Sequence, residues 1–377
     1  MNPTSYQFCN SNANLESFMN ETMRKILEVA IMAPSGDNCQ PWRFGVSNNQ
    51  INVYDVPEAD ISYYNYRQRA SYVSHGAVLE NIALAAPQLG LEAQFDVFPD
   101  QDTPECVARI TLTECIPKSS ELAAFIKKRG TNRKIYRGGL LDSAQLNALT
   151  QPSDDLPNVF AFLTNKRSEI DRLSEVICLS DRLVYENKRL HDFLYEHIRW
   201  SDEEAAKFRD GLDIKTLELK AIDEFGFKLL KSWPLTNFLG KLGVTGAVSA
   251  NARKQAGSAS AIGVILGRDP HDPITYVQGG RLLQRLWLQA TRMELSFHPM
   301  AGICFLMQRV ADRQAGDLSS RHIKMIEDAV REVAALTGSP EPNVISLFRV
   351  GVALPPKARS KRRASGDFLN HQHIFGV

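Results

Sequence analysis

The sequence has little that would commit it to a charged partner. Lys and Arg number 44 against 43 Asp and Glu, a net charge of +1 over 377 residues. A balance that close excludes a global field for nucleic acid or an anionic membrane surface. Long apolar runs are also missing, and no stretch approaches the ~20 residues of a membrane helix. The opening MNPTSYQFCNSNANLESF is polar and lacks the apolar core of a secretory signal. Six cysteines (Cys9, Cys39, Cys106, Cys115, Cys178 and Cys304) form no CxxC pair and no zinc spacing with a histidine. They read as reduced thiols of a cytoplasmic protein, and no metal site is expected. There is no GxGxxG loop, no GxxxxGK[ST] loop and no GxSxG elbow. What is left is a globular composition, 44% hydrophobic and 23% charged, with length for two domains or one large one.

The stretch that stands out is Ala30 to Phe44, AIMAPSGDNCQPWRF. An apolar helical pattern from Leu15 to Ile31 runs into it, with Phe18, Met19, Met23, Ile26, Leu27 and Ala30 on one face. Pro34 ends that helix, because proline disfavours helix in the residue before it. Ser35, Gly36, Asp37 and Asn38 are turn formers whose side chains or bare backbone can face a ligand. Gln40-Pro41-Trp42 follows, then Arg43–Val46 and Gln50–Tyr54 alternate as a hairpin closed by Ser47-Asn48-Asn49. The plain alternative for the stretch is an ordinary helix-to-strand turn. Residues 71–90 form a second helical pattern with little polar face, so that helix should be central and buried. Ala93–Val97 and Ala108–Leu112 read as strands.

The same order returns. Residues 148–162 echo 30–46, with Pro152-Ser153 answering Pro34-Ser35 and Asp155 answering Asp37. Residues 275–295 echo 71–91 at a constant offset, with Tyr72/Tyr276, Val73/Val277, Gly76/Gly280, Leu79/Leu283, Leu84/Leu288, Ala86/Ala290 and Leu91/Leu295 identical. The strand Ile345–Ala353 then takes the part of 108–112. A period this long reads as a duplicated α+β unit rather than a solenoid. The expected units are 1–125 and 126–377. Within the second lies a helical insertion, 168–257. It carries a capping box at Ser201-Asp202-Glu203-Glu204, Gly211 as a stop, and an apolar patch from Phe225 to Leu239 that reads as core or as a lid.

Two basic segments carry candidate chemistry. Arg129, Thr131 and Arg133 stand ahead of a helix capped by Asp142, and two guanidinium forks with a hydroxyl suit a phosphate. Lys357, Arg359, Lys361, Arg362 and Arg363 follow the last strand. A solvated linker and a solvated tail are the plain alternatives. His75, in Ser-His-Gly, is a candidate proton donor near a cofactor, though it reads more readily as a satisfied helix-end histidine.

In order, these motifs resemble the FMN-dependent nitroreductase family. There A-P-S-x-x-N-x-Q-P-W follows the first long helix, R-x-S-x-R opens a unit, and a Lys/Arg pair returns to the FMN phosphate. His298-Pro299-Met300-Ala301-Gly302 resembles the family's P-x-E-G segment, whose backbone faces the flavin, with Ala301 standing where the family has glutamate. The resemblance spans about residues 15–365 and is nearest to the long Acg-like branch. It implies an α+β nitroreductase-like fold, internally duplicated as a pseudo-dimer of two central-helix/antiparallel-sheet units. One flavin site would survive, its turn from the first unit and its phosphate binder from the second. The implied FMN-binding residues are Pro34, Ser35, Gly36, Asn38, Gln40, Arg129, Thr131, Arg133, Pro299, Ala301, Gly302, Arg359 and Arg362; no catalytic residue is implied. The implied activity is NAD(P)H-dependent reduction of a nitroaromatic, quinone or similar small molecule by a ping-pong cycle. The alternative is a protein that sequesters FMN under a closed lid. No nucleic-acid or membrane partner is expected, and the pseudo-dimer is compatible with a monomer or a homodimer.

Overall fold

The computed structural model describes residues 21–47, 49–150 and 155–369. Leu15, Phe18 and Met19 of the expected first helix, Asn48 of the hairpin turn, Pro152-Ser153, Cys9, His371 and His373 lie outside them. The first part comprises α1 (Glu21–Ala30), β1 (Trp42–Ser47), β2 (Gln50–Asp55), α2 (Arg69–Ala85), β3 (Leu91–Val97) and β4 (Cys106–Glu114). After α3 (Ser143–Leu149) and β5 (Val159–Thr164), an excursion holds α4 (Arg167–Glu186), α5 (Lys188–His197), β6 (Ile198–Arg199), α6 (Asp202–Phe208) and β7 (Leu212–Asp213). It continues with α7 (Ala221–Leu229), α8 (Trp233–Lys241) and α9 (Val244–Gly257). The chain then runs through β8 (Ala261–Gly267), α10 (Pro273–Arg292), β9 (Ser296–Pro299), α11 (Gly302–Ala311), α12 (Ser320–Thr337) and β10 (Asn343–Gly351).

The architecture is α+β. One antiparallel sheet is ordered β1-β2-β4-β3 and the other β5-β8-β10-β9. Counted within its own half, each sheet therefore runs first, second, fourth, third. In each half the long central helix lies between the second and third strands. The excursion separates β5 from β8, where the first half has only the hairpin turn between β1 and β2.

The two central helices cross at glycines. A Cβ on Gly76 would sit 1.9 Å from the carbonyl oxygen of Val277, and one on Gly280 would sit 1.9 Å from that of Val73. Glycine is required here because backbone meets backbone. The contact is reciprocal between residues that match in the sequence echo, as at a two-fold interface. Arg281 and Arg285 of α10 clasp the buried Glu80 of α2, and Gln284 donates to Asn81 at 2.7 Å.

Asp142 caps α3 through a capping box with Gln145, as its sequence predicts. At α6, Ser201 accepts from the Glu204 amide, but the Glu204 carboxylate reaches Trp200 N instead of Ser201 N. Arg209, at φ 55°, ends that helix in place of the expected Gly211. His75 lies within α2 rather than at its end, fully buried and 2.8 Å from Asp55. Cys39, Cys106, Cys115, Cys178 and Cys304 are free thiols. Among the described residues no helix is long and apolar enough to cross a membrane, and no group of His, Cys, Asp or Glu could hold a metal.

Candidate functional site

The turn after α1 is strained and held from outside. Asp37, Asn38 and Gln40 have φ of 42°, 58° and 55°, in a region that side chains other than glycine's rarely adopt. Such strain persists where surroundings over-determine it. The Ser35 hydroxyl accepts from the Gln40 amide at 2.9 Å. Asn38 donates to the Lys361 carbonyl at 2.9 Å, and Gln40 donates to the Arg209 carbonyl at 2.9 Å. Gln40 Oε1 accepts from the Arg363 amide at 3.1 Å. Both amide side chains thus bind protein: the C-terminal strap on one side, the excursion on the other.

The strap after β10 crosses to the first half. Phe368 packs on Trp42 and Phe44, and Leu369 bridges Phe44. This crossing puts the basic run beside the turn. Arg362 donates to the Ala33 carbonyl at 3.0 Å and to Asn38 Oδ1 at 2.5 Å. Arg359 donates to the Lys127 carbonyl at 2.9 Å, its side chain lying against Gly130. Arg129 donates to the Met32 carbonyl at 2.7 Å and stacks over Trp287 at 4.3 Å. Thr131 bridges Phe297 through the backbone. Arg133 donates to the Thr216 carbonyl at 3.0 Å.

Arg129, Arg359 and Arg362 converge without an acid. Among the described residues none of the three pairs with a carboxylate, and the buried Nε atoms of Arg129 and Arg362 have no partner. Burial first, then the charges of Arg362 and Arg359, holds Arg129 well below the usual arginine range. Burial pushes Arg362 down to about 10. Buried cations that repel one another and keep orphaned donors call for an anion with several oxygens, and phosphate is the matching group. On this donor set the residues fit the phosphate of a mononucleotide.

The remaining predicted residues lie on the second half. Pro299 pairs with Phe348 in the sheet, and Met300 N donates to the Leu347 carbonyl at 2.7 Å. Ala301 precedes α11 as its cap, and Gly302 opens the helix. A Cβ on Gly302 would meet Ser180 Oγ at 2.6 Å and the Tyr64 ring at 3.5 Å, so α4 and the 60s loop close on this point.

Several residues escaped the sequence reading. Burial raises the Asp37 carboxyl, opposed by nearby His197, reinforced by Asp60 and opposed by Arg133. Burial also raises Asp60, and pushes Asp181 up to about 6. Arg363 and His298 sat inside motifs already singled out; Asp60, Asp181 and His197 carried no local signal. Phe225 and Phe238 are 64% and 59% exposed, while the hydrogen bonds to the turn and to Arg133 come from Arg209 and Thr216, nearer the start of the excursion. Two cavities lie elsewhere: one of about 390 Å³ beside Tyr195, Arg199, Trp200 and Lys231, and one of about 300 Å³ beside Arg43, Tyr54, Asp55 and Glu58.

With this geometry in view, the chain is similar in sequence, over part of its length, to a protein named as a nitroreductase. It is 31% identical over 118 residues to Rv3131 of Mycobacterium tuberculosis strain H37Rv, provisionally named a NAD(P)H nitroreductase, covering 31% of this chain and 34% of that protein. It is 26% identical over 351 residues to the uncharacterized protein MT1398 of M. tuberculosis strain CDC 1551, covering 91% of this chain and 47% of that one. The chain thus spans about half, or less, of the length of the curated relatives it matches. No protein-family model matches. Among solved structures, oxidized iodotyrosine deiodinase bound to FMN and 3-iodo-L-tyrosine aligns at TM-score 0.34 and 14% identity, over 64% of this chain and 95% of that one. The FMN-dependent nitroreductase NfnB of Mycobacterium smegmatis in complex with NADPH aligns at 0.33 and 12%, over 62% and 88%. Likeness at that level is too slight to argue from.

Proposed function

We propose that this chain binds one FMN and acts as a NAD(P)H-dependent oxidoreductase of the nitroreductase type, reducing a nitroaromatic, a quinone or a similar small acceptor. The observation that carries the reading is the cluster of buried Arg129, half-buried Arg362 and exposed Arg359, unpaired by any described acid, with the Nε atoms of Arg129 and Arg362 left without a partner. The name of one relative, Rv3131, points the same way. When bound, FMN supplies the hydride chemistry. The chain's own part is to hold and enclose it. Arg129, Arg359 and Arg362 take the phosphate, and Arg133 offers its remaining guanidinium donors. The turn from Pro34 to Gln40 supplies a wall, and the Arg209–Thr216 stretch keeps water out. Asp181, poised near 6, can carry a proton at its carboxyl oxygen. The matching strand orders and the reciprocal glycine crossing support reading the two halves as a fused pseudo-dimer whose one site draws on both.

The test begins with the cofactor. Purified protein should be yellow and release FMN, not FAD, on denaturation. Colourless protein that quenches no added FMN fluorescence overturns the reading. Mixed anaerobically with NADH or NADPH, the loaded protein should bleach rapidly and saturably, then reoxidise with a nitroaromatic.

A second reading is favoured by one observation. The excursion's carbonyls bond both the turn, at Asn38 and Gln40, and Arg133, so a single strap latches both sides of the site. A latch that stays shut would make the protein an FMN store. No bleaching by either nicotinamide, with dithionite still reducing the flavin, would favour the store over the enzyme.

A further inference from the structure

His298 of β9 lies directly opposite Arg349 of β10 in the sheet register. Arg349 is fully buried, with Tyr136 stacked on its guanidinium at 4.0 Å. Its donors are all engaged. One terminal nitrogen reaches the Gln255 carbonyl at 2.6 Å and Ser258 Oγ at 3.2 Å. The other reaches the carbonyls of Asn132 at 3.3 Å and Lys134 at 2.8 Å. Nε donates to His298 Nδ1 at 3.2 Å. A guanidinium stays protonated and can only donate, so Nδ1 must accept, and the ring hydrogen is left on Nε2.

That hydrogen has no described taker. His298 is only 8% exposed, and the bond from Arg349 is the only hydrogen bond of its side chain among the described residues. Its Nε2 is not one of the fully enclosed unpaired atoms, so that nitrogen opens on space a ligand can reach. The charged groups that act on the ring are Arg349 from β10 and Arg133 from the segment before α3, both positive. Arg349 also grips the carbonyls on either side of Arg133, and Gln255 holds the Arg133 carbonyl itself. One buried hub thus sets both Arg133 and His298.

We propose that His298 is a ligand-binding residue, its Nε2–H donating to an uncharged acceptor on the flavin ring system beside Arg133, and that Arg349 is the positioning residue that fixes this tautomer. The proposal rests on the flavin reading. A neutral donor that cannot gain a proton stabilises electron density arriving on the ring without changing its own charge over physiological pH.

The test uses the full chain labelled with ¹⁵N-histidine, its His298 signals assigned by their loss in His298→Phe. In the apo protein His298 should show an Nε2–H, Nδ1-acceptor pattern that stays constant from about pH 5 to pH 9, where an ordinary histidine titrates. Adding FMN should shift the Nε2–H resonance. His298→Phe should bind FMN about tenfold more weakly, as for one lost hydrogen bond, with an altered flavin absorbance band. A titrating His298, or an Nε2–H that ignores bound FMN, overturns the proposal even if the Phe variant fails to fold. So does a folded Phe variant with wild-type affinity and spectrum. Wild-type protein that binds no FMN instead fails the flavin reading itself, and the donor role with it.

Discussion

The two halves share a strand order and differ in what covers it. In the first, β3 alternates between partly buried and exposed residues, as one-sided packing dictates. In the second, every residue of β8 and β10 is buried. One face of that sheet meets α10, and the other meets α4, α11 and α12. Helix α4 of the excursion, with the later α11 and α12, makes that sheet the middle layer of a sandwich. The excursion also reaches the turn of the other half through the Arg209 carbonyl, so one insertion shares in covering the sheet and in closing on the turn. Similar sheets therefore take unequal roles: the first offers a strained turn, and the second offers the arginines and the hub.

The comparison can be broken most directly at the crossing. Gly280→Leu places a side chain where α2 already has backbone at 1.9 Å. It should destabilise the protein by more than about 4 kcal/mol. Thermal or denaturant unfolding checks this, and a near-wild-type midpoint would show that the helices do not meet as described.

The next effect separates function from architecture. Arg129→Met and Arg362→Met should weaken FMN binding by about 2–4 kcal/mol, measured by fluorescence titration. The apo protein should lose nothing, or gain stability, because an unpaired buried cation is removed. Apo proteins that unfold at lower denaturant would instead make these arginines structural.

Asp181→Asn should add roughly 1–3 kcal/mol above pH 6. Burial raises the folded carboxyl to about 6 against the usual 3.8, so the native state binds the extra proton between those values. Wild-type stability from this group is complete below about pH 4 and falls as pH rises towards 6. The variant's advantage should vanish at the acidic end and be full above 6. Denaturant titrations at both ends decide it.

The smallest effect is expected where the sequence placed a lid. Phe225→Ser and Phe238→Ser should change stability by no more than about 0.5 kcal/mol, because both side chains are mostly exposed. Reduction of bound flavin by NADPH should not change either. Gain of reactivity in these variants would restore the 225–239 segment as the cover and demote Arg209 and Thr216.

Local pattern carried much of this architecture. The periodicities over 71–90 and 275–295 marked the two central helices, and alternation marked the hairpin and the later strands. The excursion was visible as extra helix between elements that otherwise repeat. Its apolar run divides: Phe227 and Leu230 pack on the core, while Phe225 and Phe238 stand in solvent. The contacts to the turn and to Arg133 are made by backbone carbonyls at Arg209 and Thr216, which have no sequence signature.

The sequence by itself determined the elements, the echo between halves and the inventory of the candidate site: the Pro34–Gln40 turn, Arg129, Arg133, Arg359 and Arg362. Those are properties of spacing, propensity and residue type within a few tens of residues. Only the tertiary structure decided which groups meet. Arg362 lies 324 positions from Asn38, and Arg349 lies 217 from Asn132. Such pairs form because the strap packs Phe368 into the first core and β9 pairs with β10, and side-chain packing over that separation leaves no period to read. Among the described residues, the same packing leaves Arg129 and Arg362 without an acidic partner and engages one ring nitrogen of His298.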